Sequence, residues 1–404
     1  MKNLFIKKQI TAFVFIALLF VFSSLNLINS YPKIKEYMLN AKVTKIKDAD
    51  SFVKNLETSI NDSILDKYTF VESYGALQVL LGKHEVNNFD FAVDKDGFEY
   101  DSYFFDDFND KYADKLAKGI SKFRNELKTQ GTEVLVMTPP DKFYDGKING
   151  YTGIPYSNYS KDIDTYYSYL DKYNVNHIDL RNALINSGFT KDQLYYKTDH
   201  HWTTPASFVA FRELVSNLNK LYGYNLDSDG CYRDWNNYYK VQYKNAFLGS
   251  YGRKIGTVYD GLDDFELVLP KFNTSYRFEK TSTDKVQNYQ GSFEDTLVNK
   301  SILNINDVFM RDMYSCYLDG VLYPYGKITN NLNTKGPRIL FIRDSYSSSL
   351  AAFLSTTCSE VDVLYPNQYK GDIKQFIEQN HYNLVIFSGY CGTLRPDLYW
   401  YLPK

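Results

Sequence analysis

The segment Asp199-His200-His201 concentrates groups that transfer protons or bind metals, since it places two of the chain's five histidines beside a carboxylate. A histidine that accepts a proton through Nε2 needs an acceptor for its Nδ1–H, and an aspartate supplies one. An Asp-x-His spacing reaches this geometry more easily than two adjacent residues do. We therefore expect Asp199 to orient His201 as a general base. His200 is then a supporting residue, a substrate-side residue or a packed structural one.

A metal site is the second interpretation of the same segment. One carboxylate and two imidazoles could supply three ligands, as in a facial triad. Adjacent histidine side chains seldom converge on one ion, however, and the sequence has no second evident cluster of histidine, cysteine or acidic residues. None of the four cysteines forms a CxxC pair. We therefore predict no bound metal and no cofactor.

Ser345 is the candidate nucleophile for such a base. It directly follows the apolar run 339–342, which is typical of a buried strand, and it precedes a predicted helix. In open parallel sheets, active residues gather at the carboxyl ends of the strands. Amides of the first helical turn lack partners inside the helix and could hold an oxyanion. A serine at this position is also a good helix N-cap, and the local sequence leaves both roles open.

Apolar periodicity predicts the elements that must bring these residues together. We expect strands over 90–93, 134–137, 175–179, 338–342, 361–364 and 384–387, and helices over 112–129, 163–173, 206–221, 345–356 and 373–379. The alternation of strand and helix indicates an α/β fold with a parallel sheet covered on both faces. Segment 223–336 is rich in Tyr, Asn, Asp and Gly, which predicts a large insertion of short strands and loops.

The N-terminus predicts export. Lys2, Lys7 and Lys8 precede an uncharged run from Gln9 to Pro32 that is long enough to cross a membrane. We predict a transmembrane signal anchor over 1–30, a stalk or linker over 31–66 and a catalytic domain over 67–404. A cleaved signal peptide is the alternative, although no Ala-x-Ala site is present. The lysines before the helix place the rest of the chain outside the cytoplasm, at the cell membrane.

Charge and composition restrict the class of partner. The 404 residues include 46 basic and 48 acidic ones, for a net charge of −2. Because phosphate binding needs a basic face, we predict no nucleic-acid partner. The 38 tyrosines would suit a carbohydrate-binding surface, although compositional bias is the simpler explanation for most of them.

The run Asp199-His200-His201-Trp202 resembles the signature of the DHHW proteins, which are related to the alginate O-acetylation proteins AlgJ and AlgX in the SGNH (GDSL-like) hydrolase superfamily. The resemblance extends from about residue 67 to the C-terminus. It depends mainly on Thr198–Thr203 and Asp344–Tyr346, with weaker matches at Pro139–Lys142 and Asn330. It implies a three-layer, flavodoxin-like α/β fold with a permuted motif order, because the Asp-x-His element precedes the serine.

The resemblance also implies a function. Asp199, His201 and Ser345 match the triad, and the implied reaction is O-acetyl transfer to hydroxyls of a cell-surface or secreted polysaccharide. The implied partner is a membrane-bound O-acyltransferase (MBOAT) that passes acetyl groups across the membrane. Two alternatives stay open: a polysaccharide O-acetylesterase with the same triad, and a non-catalytic polysaccharide-binding scaffold that uses the 223–336 segment.

The sequence departs from the family pattern around the oxyanion site. Arg343 stands where SGNH proteins have glycine, and the last strand leads into Ser388-Gly389-Tyr390 rather than the Asn-Glu-Arg-like ending of AlgJ. Our candidates for oxyanion and substrate contacts are the amides of Tyr346 and Gly249, a group near Gly389, and the residues Ser250, His200 and Trp202.

Overall fold

The computed structural model describes residues 2–40, 46–102, 110–282, 285–395 and 398–403. The chain divides into two compact units, Met1–Leu77 and Gln78–Lys404. Residues 41–45 of the predicted stalk lie outside the described part. The predicted boundaries at residues 30 and 66 stay predictions.

The first unit is helical. Its helices are α1 (Lys2–Asn40), α2 (Ile46–Asn61) and α3 (Lys67–Leu80), whose last turn belongs to the second unit. Within α1, Ile6–Leu39 is long and apolar enough to cross a membrane. Large apolar side chains such as Phe13 and Phe20 are exposed on this helix, which leaves it with an apolar outer surface.

An eight-stranded mixed sheet organises the second unit, with the order β5-β4-β13-β11-β12-β10-β8-β9. Its strands are β4 (Glu133–Met137), β5 (His177–Ile178), β8 (Tyr276–Thr281), β9 (Val286–Gly291), β10 (Tyr325–Asn330), β11 (Arg338–Arg343), β12 (Glu360–Leu364) and β13 (Leu384–Ser388). The first five strands in this order pair in parallel. The predicted α/β fold of the SGNH type is confirmed.

The insertion does more than connect the two halves of the fold. Its strands β8, β9 and β10 extend the parallel sheet in antiparallel register, beginning where β10 pairs with β12. Its other strands, β6 (Tyr238–Phe247) and β7 (Asp263–Pro270), form a separate two-stranded sheet. A further small sheet contains β1 (Glu85–Val86), β2 (Phe91–Val93) and β3 (Glu99–Asp101).

The second unit also contains helices. They are α4 (Asp110–Lys128), α5 (Ser160–Lys172), α6 (Arg181–Ile185), α7 (Lys191–Leu194), α8 (Thr204–Tyr222), α9 (Gly252–Ile255), α10 (Thr257–Asp260), α11 (Phe293–Leu297), α12 (Lys300–Leu303), α13 (Ser348–Leu354) and α14 (Ile373–Asn380). All five residues of β12 and of β13 are buried, as expected for strands covered on both faces. Phe353 on α13 packs against Phe208 and Phe211 on α8. Burying each such ring contributes about 1.5–3 kcal/mol.

The start of α8 fixes the end of the DHHW segment. Thr203 caps the helix, since its Oγ1 accepts a hydrogen bond from the amide of Ala206 at 3.3 Å, and Pro205 lies in the first turn. Proline suits that position because its missing N–H would have no helical partner there. Gly223, with φ of 68°, ends the helix in the left-handed region. The residues 199–202 are therefore held directly before a rigid helix.

The structure corrects the predicted helix over 345–356. A 3₁₀ turn over Ser345–Ser347 comes first, and α13 begins only at Ser348. Asp344 caps this turn by accepting a hydrogen bond from the amide of Tyr346 at 3.0 Å. The capping role therefore belongs to Asp344, and the hydroxyl of Ser345 is left for another partner.

Candidate active site

Three side chains that are distant in sequence form one hydrogen-bonded line. His201 Nε2 lies 2.7 Å from Ser345 Oγ, and His201 Nδ1 lies 2.5 Å from Asp199 Oδ1. His201 and Asp199 are buried, whereas Ser345 is half-buried. The geometry matches that of a serine nucleophile, its general base and an orienting carboxylate, and we refer to Ser345, His201 and Asp199 as the candidate triad.

Asp199 is held by backbone amides as well as by His201. Oδ1 accepts a hydrogen bond from the amide of His201 at 2.8 Å, and Oδ2 accepts one from the amide of Ser250 at 2.6 Å. Burial alone would raise the pKa of this carboxyl. The charge of His201 and the hydrogen bonds that it donates instead hold the pKa well below its usual value. Asp199 is therefore a carboxylate at neutral pH.

A second carboxylate, Asp263 at the start of β7, fixes the backbone before the triad. Its Oδ1 accepts from the amide of Lys197 at 2.8 Å, and its Oδ2 accepts from the amide and hydroxyl of Thr198 at 2.9 and 2.7 Å. The Thr198 carbonyl in turn accepts from the amides of Tyr251 and Gly252, both at 3.0 Å. These bonds join the insertion to the DHHW segment.

Gly249 is required by a close approach of two backbones. A Cβ atom built on it would lie 2.3 Å from the Cβ of Asp199 and 2.4 Å from the carbonyl oxygen of Thr198. Any larger residue must therefore displace the segment that carries Asp199. The Gly249 amide donates to Thr198 Oγ1 at 2.8 Å.

The carboxyl ends of β11 and β13 position Ser345. Besides capping Tyr346, the Asp344 carboxylate accepts a hydrogen bond from the amide of Tyr390 at 2.5 Å, which ties together the loops after the two strands. Burial raises the pKa of Asp344. Arg343, which replaces the family's glycine, is buried and donates to the carbonyl of Gly320 at 2.8 Å and to Ser348 Oγ at 2.9 Å. This arginine has a structural role, because its hydrogen bonds join the start of α13 to the loop that contains Gly320.

Aromatic contacts fix the plane of the base. The ring of Tyr314 stacks on that of His201 with 3.8 Å between centroids and an interplanar angle of 19°. The Tyr314 hydroxyl donates to the carbonyl of Tyr346 at 3.2 Å, and the indole Nε1–H of Trp202 donates to the same carbonyl at 3.0 Å. Trp202 is fully buried, so its contact is with the protein rather than with a substrate.

His200 lies beside the triad and outside its hydrogen-bonded line. Its Nδ1 is 2.8 Å from Ser250 Oγ, and its carbonyl accepts a hydrogen bond from the hydroxyl of Tyr346. Burial, together with the charge of His201, lowers the pKa of His200 to about 3, so its ring is neutral at physiological pH. It lines the cavity that contains Ser345. The supporting, substrate-side and packed structural roles of His200 all stay predictions.

The predicted oxyanion donors differ in their availability. The amide of Tyr346 donates to Asp344, and that of Gly249 donates to Thr198, so each has a protein partner. The amide of Ser250 donates to Asp199. Gly389 lies with Ser345 in the wall of the cavity. The identity of the oxyanion donors stays a prediction.

Asp199, His200 and His201 could also bind a metal, since one ligand atom from each lies within 4.8 Å of the others. Both ring nitrogens of His201, however, are already within hydrogen-bond distance of Ser345 and Asp199. An ion would have to replace one of those bonds. The geometry therefore favours proton transfer over metal binding.

A cavity of about 200 Å³ opens beside Ser345. Its walls include five tyrosines, Tyr346, Tyr365, Tyr390, Tyr399 and Tyr401. The rings of Tyr346 and Tyr390 stack with 4.5 Å between centroids. The cavity is smaller than the 300–1,000 Å³ typical of pockets for drug-sized ligands, so it fits a small group next to the nucleophile.

Comparison with known proteins agrees with this fold. The family described as an SGNH hydrolase-like domain of the acetyltransferase AlgX matches residues 102–232, which contain the DHHW segment. The resemblance to this family is confirmed. No curated protein matches the chain.

Solved structures with similar folds include a DHHW family protein from Eubacterium siraeum, with a TM-score of 0.60 and 16% identity over 79% of this chain and 98% of that one. PatB1 from Bacillus cereus has a TM-score of 0.59 and 19% identity over 76% of this chain and 98% of that one. PatB1 with a sulfonyl adduct has a TM-score of 0.58 and 18% identity over 78% and 100%. At these sequence identities, the comparison shows a similar fold and nothing more specific.

Sequence reasoning missed several residues of the site. Asp263, Tyr314 and Asp344 support the triad through the hydrogen bonds and stacking described above. Asp344 could have been found, because an aspartate before a helix start is a common cap. Asp263 and Tyr314 lie inside the insertion and carry no sequence signal of their own.

Proposed function

We propose that this protein transfers acetyl groups to hydroxyls of an extracytoplasmic polysaccharide through an acetyl-enzyme on Ser345. The observation that carries the proposal is the 2.7 Å hydrogen bond between Ser345 Oγ and His201 Nε2, with Asp199 on the far side of the same imidazole. The match of residues 102–232 to a family named for an acetyltransferase supports the choice of the acyl group.

In the first half-reaction, His201 Nε2 takes the proton of Ser345 as Oγ attacks the carbonyl carbon of an acetyl donor. The new bond is Oγ–C, and the tetrahedral intermediate collapses when the bond to the leaving group breaks. His201 then gives its proton to that group. Asp199 stabilises the imidazolium, because its carboxylate accepts the Nδ1–H.

In the second half-reaction, a sugar hydroxyl attacks the acetyl-enzyme. His201 removes the hydroxyl proton, the ester bond to Ser345 breaks, and the proton returns to Oγ. The partly exposed tyrosines at the cavity wall, Tyr365, Tyr399 and Tyr401, support a sugar acceptor outside the cavity, since tyrosine rings stack on the C–H faces of sugars while polar groups reach their hydroxyls.

We place this reaction outside the cytoplasm, with α1 as the membrane anchor. The support is the apolar span Ile6–Leu39 and the lysines that precede it. Since acetyl-CoA is not expected outside the cell, we propose that an MBOAT-type membrane protein supplies the acetyl group, as the family resemblance implies.

An acetylesterase with the same triad is the second candidate, since Ser345 is only half-buried and water could reach the acetyl-enzyme. The test uses the purified full chain in detergent, an activated acetyl ester and candidate glycans. Acetylated glycan supports transfer, whereas acetate alone supports hydrolysis. Binding of glycan without turnover of the ester would contradict both and support a scaffold.

A further inference from the structure

Two further cavities lie apart from Ser345. One, of about 770 Å³, is lined by α6, α8 and the loop that ends at Trp235; the other, of about 450 Å³, is lined by Phe189 and by side chains of β6 and β7. Trp235 lines both, and neither shares a residue with the cavity at Ser345. We call these two cavities together the Trp235 groove.

The indole at the junction is held in place. Its ring contacts Phe208 with 4.8 Å between centroids, and Phe189 edge-on at 5.8 Å. Lys240 Nζ donates to the Trp235 carbonyl at 2.7 Å and lies 4.8 Å from the centroid of the indole. The ring is nevertheless partly exposed. A rigid, partly exposed aromatic ring binds with little loss of side-chain entropy.

Polar groups surround this ring. The 770 Å³ cavity includes Asn186, Ser187 and Arg212 in its walls, and Gln242 lies in the other. Arg212 is exposed, and its guanidinium has no hydrogen-bond or ion-pair partner among the residues that the structure describes. One aromatic ring among hydrogen-bonding side chains suits a sugar, which stacks through its C–H face and bonds through its hydroxyls. A protein partner would need a larger apolar centre.

The charges of the groove select among glycans. In the 450 Å³ cavity, Asp192, Asp264 and Glu266 line the wall together with Lys240. Lys197 pairs with Asp192 at 3.5 Å, so the carboxylates exceed the cations by one. In the 770 Å³ cavity, two arginines balance Glu213 and Asp234. Because this excess of carboxylates repels polyanions, uronic-acid chains and nucleic acids are disfavoured.

We propose that the Trp235 groove is a second polysaccharide-binding site, which holds a neutral segment of a glycan chain away from Ser345. Such a site would keep a polymer on the enzyme between successive events at the nucleophile. The proposal concerns binding alone and does not depend on acetyl transfer.

The test is calorimetric titration of the full chain in detergent, with Ser345→Ala to prevent turnover. The probes are chitohexaose and cellohexaose, which are neutral, and a hexamer of galacturonate, which is anionic. We expect saturable binding of a neutral hexamer, and a Kd about tenfold or more higher in Trp235→Ala. Trp400→Ala is the matched control, since Trp400 is half-exposed and lies outside the groove, and it should leave Kd unchanged.

Three results would overturn the proposal: neither neutral hexamer binds, Trp235→Ala binds as tightly as its parent, or the galacturonate hexamer binds most tightly. Because Trp235 packs against Phe208, Arg212→Ala provides a second variant that disturbs no packing, and we expect its Kd to rise by about threefold or more. Trp235→Ala with Ser345 intact should hydrolyse an activated acetyl ester at the normal rate, which reports a folded triad. If the groove binds a neutral hexamer but the chain with Ser345 intact acetylates no glycan, the proposed function is contradicted and the groove assignment stands.

Discussion

The backbone amide of Ser250 donates a 2.6 Å hydrogen bond to Oδ2 of Asp199, so the insertion directly holds the carboxylate of the triad. Asp199 and Ser250 are 51 residues apart in sequence. The loop-rich segment that contains Ser250 lies between His201 and Ser345 in the sequence, and this contact joins it to the proposed triad. The insertion is part of the site.

The roles of the two histidines predict different losses of activity. His201→Ala and Ser345→Ala should each lower kcat/KM for an activated acetyl ester by at least about 100-fold, because each removes a partner of the proton transfer. His200→Ala should retain far more activity, since His200 bonds to Ser250 rather than to the nucleophile. Near-normal rates in His201→Ala, together with loss in His200→Ala, would reverse the assignment.

The close contact at Gly249 predicts that substitution of Gly249 lowers activity, whereas substitution of the neighbouring Ser250 does not. Gly249→Ala places a Cβ atom 2.3 Å from that of Asp199, so the segment must shift, and kcat should fall by about 100-fold. Ser250→Ala is the matched control, because it keeps the amide that holds Asp199. The measurement is kcat of Gly249→Ala and of Ser250→Ala from steady-state kinetics. Equal activities would show that the close approach does not position the triad.

Asp263 predicts a loss of both stability and activity. Asp263→Ala leaves the amides of Lys197 and Thr198 without their carboxylate acceptor, which should lower the free energy of unfolding by about 1–3 kcal/mol and reduce kcat. The neighbouring Asp264→Ala removes one exposed hydrogen bond, to the amide of Asn245, and should have little effect on either. Chemical denaturation and kinetics compare the pair. Asp263→Ala with the stability and kcat of the unmodified chain would rule out this anchoring role.

The pKa of His200 predicts a pH dependence of stability. Folding lowers this pKa from about 6.5 to about 3, so between these values the unfolded chain binds more protons than the folded one. Stability is therefore lost as pH falls from 6.5 towards 3. His200→Gln removes the titrating group, and its free energy of unfolding should fall less between pH 7 and pH 5 than that of the unmodified chain. Parallel pH profiles for the two proteins would show that His200 does not contribute.

The sequence was sufficient for the parallel core. It also singled out Asp199, His201 and Ser345, which the structure brings within hydrogen-bond distance of one another, while their catalytic roles stay predictions. Buried strands such as β11 and β13 contain continuous apolar runs, which predict a strand directly. The Asp-x-His spacing favours one of the two adjacent histidines as the base. Long-range pairing was not predictable. The antiparallel addition of β10, β8 and β9 and the bond from Ser250 to Asp199 depend on how the insertion folds back, and no local pattern specifies that.

The start of the helix after Ser345 shows a different limit. Serine and aspartate are both good caps, so local preference could not decide between Asp344 and Ser345. In the structure Asp344 is the cap, and its carboxylate also accepts a hydrogen bond from the amide of Tyr390 in the loop after β13. This long-range contact distinguishes Asp344 from Ser345 as the cap, whereas local sequence preference does not.

The central claim is that Ser345 carries the acetyl group. The most direct measurement is intact-mass and peptide mass spectrometry of the full chain, acid-quenched after mixing with an activated acetyl ester. We predict one acetyl group on the peptide that contains Ser345, its loss when a glycan acceptor is added, and acetylated glycan in the supernatant. Turnover of the ester with no acetyl on Ser345, or unchanged turnover in Ser345→Ala, would contradict the account.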